Sequence, residues 1–274
     1  MDIHPTALVA SGAELGEGVR VGPYCVIGPW VKLGAGCRLH SHVVVEGRST
    51  LGPECEIFPF AVLGTTPQDK KLSGDANGTL VLGSHNKVRE HVTIHGGTPH
   101  GVGVTRVGDH NMLLAGSHIG HDATIGSHVV FTNGAAAAGH TVVQDNTVLG
   151  AMVGIHQFAR VGRLAMIGAG AMVSRDAPPF ALVQGDRARL VGANLVGLKR
   201  QGWSSEDVAM IKRAFRALFW RAGPLGRRLE DVRSRLGNHH AVREILDFVA
   251  DSKRGICRPR GKFEVGAERD IVEE

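Results

Sequence analysis

An aliphatic residue recurs every six positions along most of this chain. Stepping by six from Ile3 gives Val9, Leu15, Val21, Ile27, Leu33, Leu39, Val45, Leu51, Ile57 and Leu63. The frame resumes at Leu82, Val88 and Ile94, and again from Val107 through Leu113, Ile119, Ile125, Phe131, Ala137, Val143, Leu149, Ile155, Val161 and Ile167 to Val173. An α-helix with 3.6 residues per turn would walk such a pattern around its axis, so a helical rod is excluded. Three hexads instead close a triangular coil of 18 residues, and each coil pairs with the next through parallel strands about 4.8 Å apart. The pattern predicts a parallel β-helix. Gly directly follows the aliphatic residue at Gly16, Gly22, Gly28, Gly34, Gly52 and Gly64. These glycines are expected to serve corners with unusual backbone angles.

Composition fits a narrow prism. Glycine makes up 38 of 274 residues and falls in register, and aromatic residues are only 5%. Cys25, Cys37 and Cys55 each lie two residues before a frame aliphatic, which predicts inward packing; no closely spaced ligand pairs suggest a metal. No signal peptide or membrane-length apolar run is evident, so a cytoplasmic enzyme or binding protein without stable membrane insertion is expected.

The frame slips twice. Leu63 and Leu82 are 19 residues apart, one more than a coil, and Ile94 and Val107 are 13 apart. The stretches 65–80 and 96–106 read as protruding loops. If the second bulges by seven residues, Ile94 stacks beneath Ile119. The solenoid is expected over 1–178, ending at Pro178-Pro179. A connecting segment over 179–198, a helical domain over 199–253 and a loosely ordered tail over 254–274 follow. Val208, Ile211, Phe215 and Leu218 have helical spacing, and Ser204 with Asp207 resembles a capping box. From Lys199 to Lys262 there are 16 Lys/Arg against 7 Asp/Glu. Such a surface suits an acidic partner; no aromatic-and-basic stripe points to nucleic acid.

Stacking by 18 turns the repeat into a coordinate system. His121, Gly139 and Gln157 form one column, and Asp122, His140 and Phe158 the next. Gly120, Ala138 and His156 form another, with His118 just before the set. With the seven-residue bulge, His95 joins from the coil beneath. Packing does not require so many polar groups on one edge, where side chains are expected to point outward. His is the usual general base near neutral pH, and an adjacent Asp can hold its tautomer. Gly139 offers an unobstructed backbone N–H suited to an oxyanion. There is no Gly-x-Ser-x-Gly elbow and no cysteine in the cluster. Direct transfer, with His121 deprotonating an acceptor hydroxyl, is therefore favoured over a covalent enzyme intermediate.

The run His118-Ile119-Gly120-His121-Asp122, then Ala138-Gly139-His140 and Ile155-His156-Gln157-Phe158, resembles the UDP-N-acetylglucosamine O-acyltransferases of lipid A biosynthesis. His4-Pro5-Thr6-Ala7, Ser41-His42-Val43-Val44-Val45, Gln68-Asp69, Val92-Thr93-Ile94-His95 and Asn194 through Gly197-Leu198-Lys199-Arg200 extend the likeness to about residues 3–250. The resemblance implies a left-handed parallel β-helix with a C-terminal α-helical domain, assembled as a homotrimer. It implies transfer of an (R)-3-hydroxyacyl group from acyl carrier protein to the 3-hydroxyl of UDP-N-acetylglucosamine, without cofactor or metal. By match, His121 is the base, Asp122 its partner and the Gly139 N–H the oxyanion donor. Gln68, Asp69, Lys71, His95, His118, His140, His156 and Gln157 would line the sugar and acyl site between subunits, and Asn194 and Arg200 would face the nucleotide. Ala169 aligns with the acyl-chain ruler; its small side chain implies a medium or long chain. Val196 stands where the family often has Glu, and Gln201 where a second basic residue is usual.

Three rivals are weaker. A γ-type carbonic anhydrase needs a third His five residues after His121, where Gly126 stands. The N-acyltransferase of the same pathway usually carries an extra N-terminal domain, whereas this repeat begins at Ile3. A scaffold or ice-binding helix would want a flat Thr face rather than a histidine edge.

Overall fold

The computed structural model describes residues 2–72 and 78–261. Each hexad contributes a short strand, as at Val26–Ile27 and His118–Ile119, and a turn carries the chain to the next face. Among the described residues the strands stack into three sheets of eleven, nine and eight members. Pairing within the solenoid is parallel, in the 18-residue register: Ile119 pairs with Ala137, Ala137 with Ile155, and Ile155 with Val173. The frame aliphatics from Val21 onward line the axis and are buried, Ile57, Leu63, Ile94, Leu113 and Ile119 completely.

A second inward column lies two residues before each aliphatic. It holds Cys25, Cys37, Cys55 and Ala135 but also Ser49, Asn86, Thr105, Asn111, Ser117, Thr141 and Thr147, all at most 1% exposed. Most of these side chains are small, and several polar ones bond to neighbouring backbone. Cys37 Sγ donates to the Gly52 carbonyl, Asn86 Nδ2 to that of Gly108, and Asn111 Oδ1 accepts from the Val129 N–H.

The left-handed backbone angles do not fall where the sequence placed them. Of Gly16, Gly22, Gly28, Gly34, Gly52 and Gly64, Gly64 alone has positive φ, at +76°. In the hexads the positive-φ site comes three residues after the aliphatic, and it accepts Tyr24, His42, Phe60, Asp122, His140 and Phe158. The earlier glycine answers a different need, which is close approach between coils. A Cβ on Gly34 would sit 2.5 Å from Pro53 N, and one on Gly16 would sit 2.6 Å from Ala35 N.

The second loop bulges by seven residues, and Ile94 pairs with Ile119 as anticipated. The first break differs from the simple count. Leu51 pairs with Leu82 and Leu63 with Ile94, so thirteen residues leave the frame and the chain rejoins only one hexad further on. Residues 73–77 of the expected 65–80 loop lie outside the described residues.

Over the connecting segment, an antiparallel hairpin of Ala181–Gln184 and Arg189–Ala193 extends one sheet. Four helices follow among the described residues: α1 (Leu195–Arg200), α2 (Ser205–Phe219), α3 (Leu225–Leu236) and α4 (His240–Ala250). Ser204 caps α2 by accepting from the Asp207 N–H. Arg163 joins the solenoid to α4 through a bidentate pair with Glu244 at 2.9 and 2.6 Å. Residues 254–261, assigned from sequence to a loose tail, are pinned instead. Ile256 bridges Asp176, Pro259 bridges Leu190, and Cys257 is buried. The rest of that tail lies outside the described residues.

Candidate active site

The predicted cluster forms on one edge of the solenoid. His118 opens its strand paired with Thr93, and the turn after Ile119 presents His121 and Asp122. His121 Nδ1 lies 2.8 Å from Asp122 Oδ2. His140, one coil along, packs edge-on against His121 with centroids 5.1 Å apart and stacks on Phe158 at 4.6 Å. His95 meets His118 edge-on at 4.9 Å, and His118 Nδ1 is 2.7 Å from Thr93 Oγ1.

Sequence reasoning placed this edge outward in solvent, yet His121 is only 7% exposed and Asp122 4%. The reason is the second loop, which folds back over the turn. The Thr98 hydroxyl donates to Asp122 Oδ2 at 2.6 Å. The Thr98 and Gly103 N–H groups donate to Oδ1 at 3.1 and 2.8 Å. Thr105 Oγ1 accepts from the Asp122 N–H at 2.8 Å. Thr98 and Gly103 were not singled out from sequence, because a loop that leaves the frame has no column number, and Thr105 is an inward residue of the frame just after that loop. Burial alone would raise the Asp122 carboxyl, but the donors from Thr98, His121 and Gly103 outweigh it and hold it below the usual carboxylate range.

Ligand-capable atoms of His121, Asp122 and His140 lie within 4.8 Å of one another. With His121 included, the Asp122 carboxylate has four donors for its four lone-pair sites, so it has none left for a cation. The geometry suits proton transfer. The Nδ1 proton is committed to Asp122, while His121 Nε2 has no partner among the described residues. A Cβ on Gly139 would come within 2.6 Å of that Nε2, so only glycine leaves room for the ring. The Gly139 N–H likewise has no acceptor among the described residues. Pro29 stands at this place of the same column in an earlier coil, and Pro5, Pro23, Pro53 and Pro59 hold the equivalent hexad position on the other two faces, which shows that the fold does not need this N–H.

The first loop reaches the same edge. Asp69 Oδ2 is 2.8 Å from His100 Nε2, so the two loops meet there, and Asp69 Oδ1 accepts from the Lys71 N–H at 2.9 Å. Those contacts lower the Asp69 carboxyl, the Lys71 N–H contributing most and His100 next. Gln68 and the Lys71 side chain are exposed. His156 bonds to the Gln157 carbonyl through Nδ1 at 2.9 Å, and Gln157 is half-buried beside it.

Three predicted residues lie apart. Asn194 caps α1: its Oδ1 accepts from the Gly197 N–H at 3.0 Å and its Nδ2 donates to the Leu164 carbonyl at 3.0 Å. Its amide is therefore engaged within the chain. Arg200 is exposed in the last turn of α1. Ala169 is exposed on a different corner, following Met166–Ile167 rather than the sheet of His118–Ile119.

Burial pushes His95 down to about 4, with His118 and His121 adding to the effect; burial also lowers His118 and His140. The unfolded chain binds these protons first, so acid works against the fold. Stability is expected to fall as pH drops from about 6.5 towards 4, a window set by His95. Urea midpoints across that range check this, and His95→Gln should flatten the decline.

Comparison with known proteins agrees with this architecture. Residues 12–47 match the bacterial transferase hexapeptide family, and residues 176–257 match the family described as UDP N-acetylglucosamine O-acyltransferase, domain 2. The acyl-[acyl-carrier-protein]–UDP-N-acetylglucosamine O-acyltransferase of Thermodesulfovibrio yellowstonii is 43% identical over 257 residues, covering 94% of this chain and 99% of that one. Its namesake from Thiobacillus denitrificans is 42% identical over 256 residues, covering 93% and 99%. The UDP-N-acetylglucosamine acyltransferase structure from Francisella novicida superposes with a TM-score of 0.91 at 35% identity, covering 93% of this chain and 94% of that one. The Arabidopsis one gives 0.84 at 35%, covering 93% and 100%. The fold is thus the left-handed parallel β-helix with a C-terminal helical region, as the sequence resemblance implied. The chain belongs to the acyl-[acyl-carrier-protein]–UDP-N-acetylglucosamine O-acyltransferase family.

Proposed function

We propose that this protein transfers an (R)-3-hydroxyacyl group from acyl carrier protein to the 3-hydroxyl of UDP-N-acetylglucosamine, the first step of lipid A biosynthesis. The observation that carries the mechanism is the disposition of His121. Its Nδ1 is committed to a buried carboxylate, and its unpartnered Nε2 sits beside the unused N–H of Gly139. Neutral His121 takes the proton of the sugar hydroxyl as that oxygen attacks the thioester carbonyl. Asp122 keeps the ring oriented and stabilises the imidazolium. The Gly139 N–H donates to the oxyanion of the tetrahedral intermediate. The intermediate collapses with loss of the carrier thiolate, and His121 returns the proton to sulfur. An ester and a free thiol result.

His118, His140, His156, Gln157, Gln68, Asp69, Lys71 and His95 bind the sugar and the acyl chain in this reading. Arg200 meets the nucleotide, and Asn194 contributes by capping the helix that carries Arg200. Ala169 is 48 residues beyond His121, roughly 13 Å along the axis at about 4.8 Å per coil, and on another corner. The homotrimer with sites between subunits, in which Ala169 would act as the acyl-chain ruler, is what the family resemblance implies. Acyl carrier protein, which is acidic, suits the basic helical domain. Among the described residues no helix is long and apolar enough to cross a membrane.

The test is product analysis. Purified protein, a panel of 3-hydroxyacyl-carrier proteins and UDP-N-acetylglucosamine should yield an ester at the sugar 3-oxygen, identified by NMR. Transfer only to the 3-amino analogue, or no transfer at any chain length, would overturn the proposal.

A further inference from the structure

The second loop does more than cover the site, and its contacts converge on one carboxylate. Thr98 is fully buried and grips Asp122 twice, through its N–H and its hydroxyl. The shortest contact, 2.6 Å, goes to Oδ2, the same oxygen that faces His121 Nδ1 at 2.8 Å. Glycines permit this wrap. A Cβ on Gly101 would strike both the Asp122 carboxylate and the Thr98 hydroxyl, and one on Gly97 would strike the backbone of Gly103 and Val104. A loop that only shielded the edge from water would not need its hydroxyl on the oxygen used by the histidine.

We propose that Thr98 is a positioning residue for the His121–Asp122 pair, its hydroxyl fixing the carboxylate oxygen that faces His121 and drawing off part of that oxygen's charge. This rests on the reading of His121 as the general base. Donors on one oxygen share its electron density, and the Thr98 hydroxyl is the shortest of those on Oδ2. Without the Thr98 hydroxyl, more of the negative charge is available to His121, and the imidazolium is favoured. Thr98 thereby keeps His121 in the neutral, proton-accepting form to lower pH. The other groups facing His121 are His140 from the next coil, His95 and His118 from the adjoining strands, and Asp69 from the first loop.

The sign of the effect separates this role from a purely structural one. If Thr98 merely anchored the loop, its loss would let Asp122 turn away, and His121 would lose carboxylate support. Its protonation would then move to lower pH. The experiment compares wild type, Thr98→Val and Thr98→Ser, using kcat/KM for 3-hydroxyacyl-carrier protein and UDP-N-acetylglucosamine from pH 5 to 9. The His121 ring is followed in parallel by NMR, which needs no turnover. Thr98→Val should move the acid limb and the ring titration to higher pH by about 0.5 to 1 unit, and Thr98→Ser should restore both. An unmoved or downward-shifted ring titration in Thr98→Val, or a Thr98→Ser protein that behaves like it, would overturn the proposal. If Thr98→Val fails to fold, Thr98→Ala gives the same comparison. A ring that shifts as expected while activity ignores its titration would leave the role of Thr98 standing and remove His121 as base.

Discussion

His121→Ala should lower kcat by about 10²- to 10⁴-fold with the fold intact, the range expected for loss of a general base. The structure explains why folding survives. His121 lies on a turn at the edge and outside the axial core, and the coils above and below pair through backbone at Ile119 and Ala137. Asp122 keeps its donors from Thr98 and Gly103, so the loop stays closed. Circular dichroism and thermal melting should match wild type while turnover collapses. Full turnover in a folded His121→Ala protein would remove the base from the mechanism.

Gly139→Ala is expected to be nearly as damaging, for a different reason. Gly139 has an ordinary backbone conformation, so alanine is not excluded by φ. The obstacle is the new methyl, which would lie 2.6 Å from His121 Nε2, 2.7 Å from Cε1 and 3.1 Å from Cδ2. The ring cannot move aside without stretching its 2.8 Å contact to Asp122, and any shift takes Nε2 off the acceptor oxygen. A loss of about 10²-fold or more in kcat follows, since a misplacement of about 1 Å costs that much. KM should change little. Gly34→Ala makes the contrast: there the Cβ meets the backbone of Pro53, so the cost falls on folding. Steady-state kinetics and melting curves of the two variants separate these effects.

Much of this was legible in the sequence because the fold is periodic. A column number is a spatial address, so His121 beneath Gly139 and Ile94 beneath Ile119 could be read by counting. Counting failed where residues leave the frame. The nineteen-residue gap after Leu63 resembles one long coil, yet it is one hexad plus thirteen looped-out residues. The grip of Thr98 and Gly103 on Asp122 was invisible for the same cause, and so was the burial that the loop imposes. The glycines after frame aliphatics serve a different purpose from the one the pattern suggests: most of them meet the next coil too closely for a Cβ, while the turn three residues on takes the left-handed angle even with Asp122 or His140. Asn194 was read as facing a nucleotide, and the chain uses its amide to cap a helix.

The central claim is that neutral His121 removes the acceptor proton. It is tested most directly by titrating the His121 ring by NMR in the wild-type protein and measuring kcat/KM over the same pH range. The account predicts that the acid limb of the rate profile coincides with the His121 titration. A limb that follows another group, or a rate that stays flat while His121 gains its proton, would contradict it.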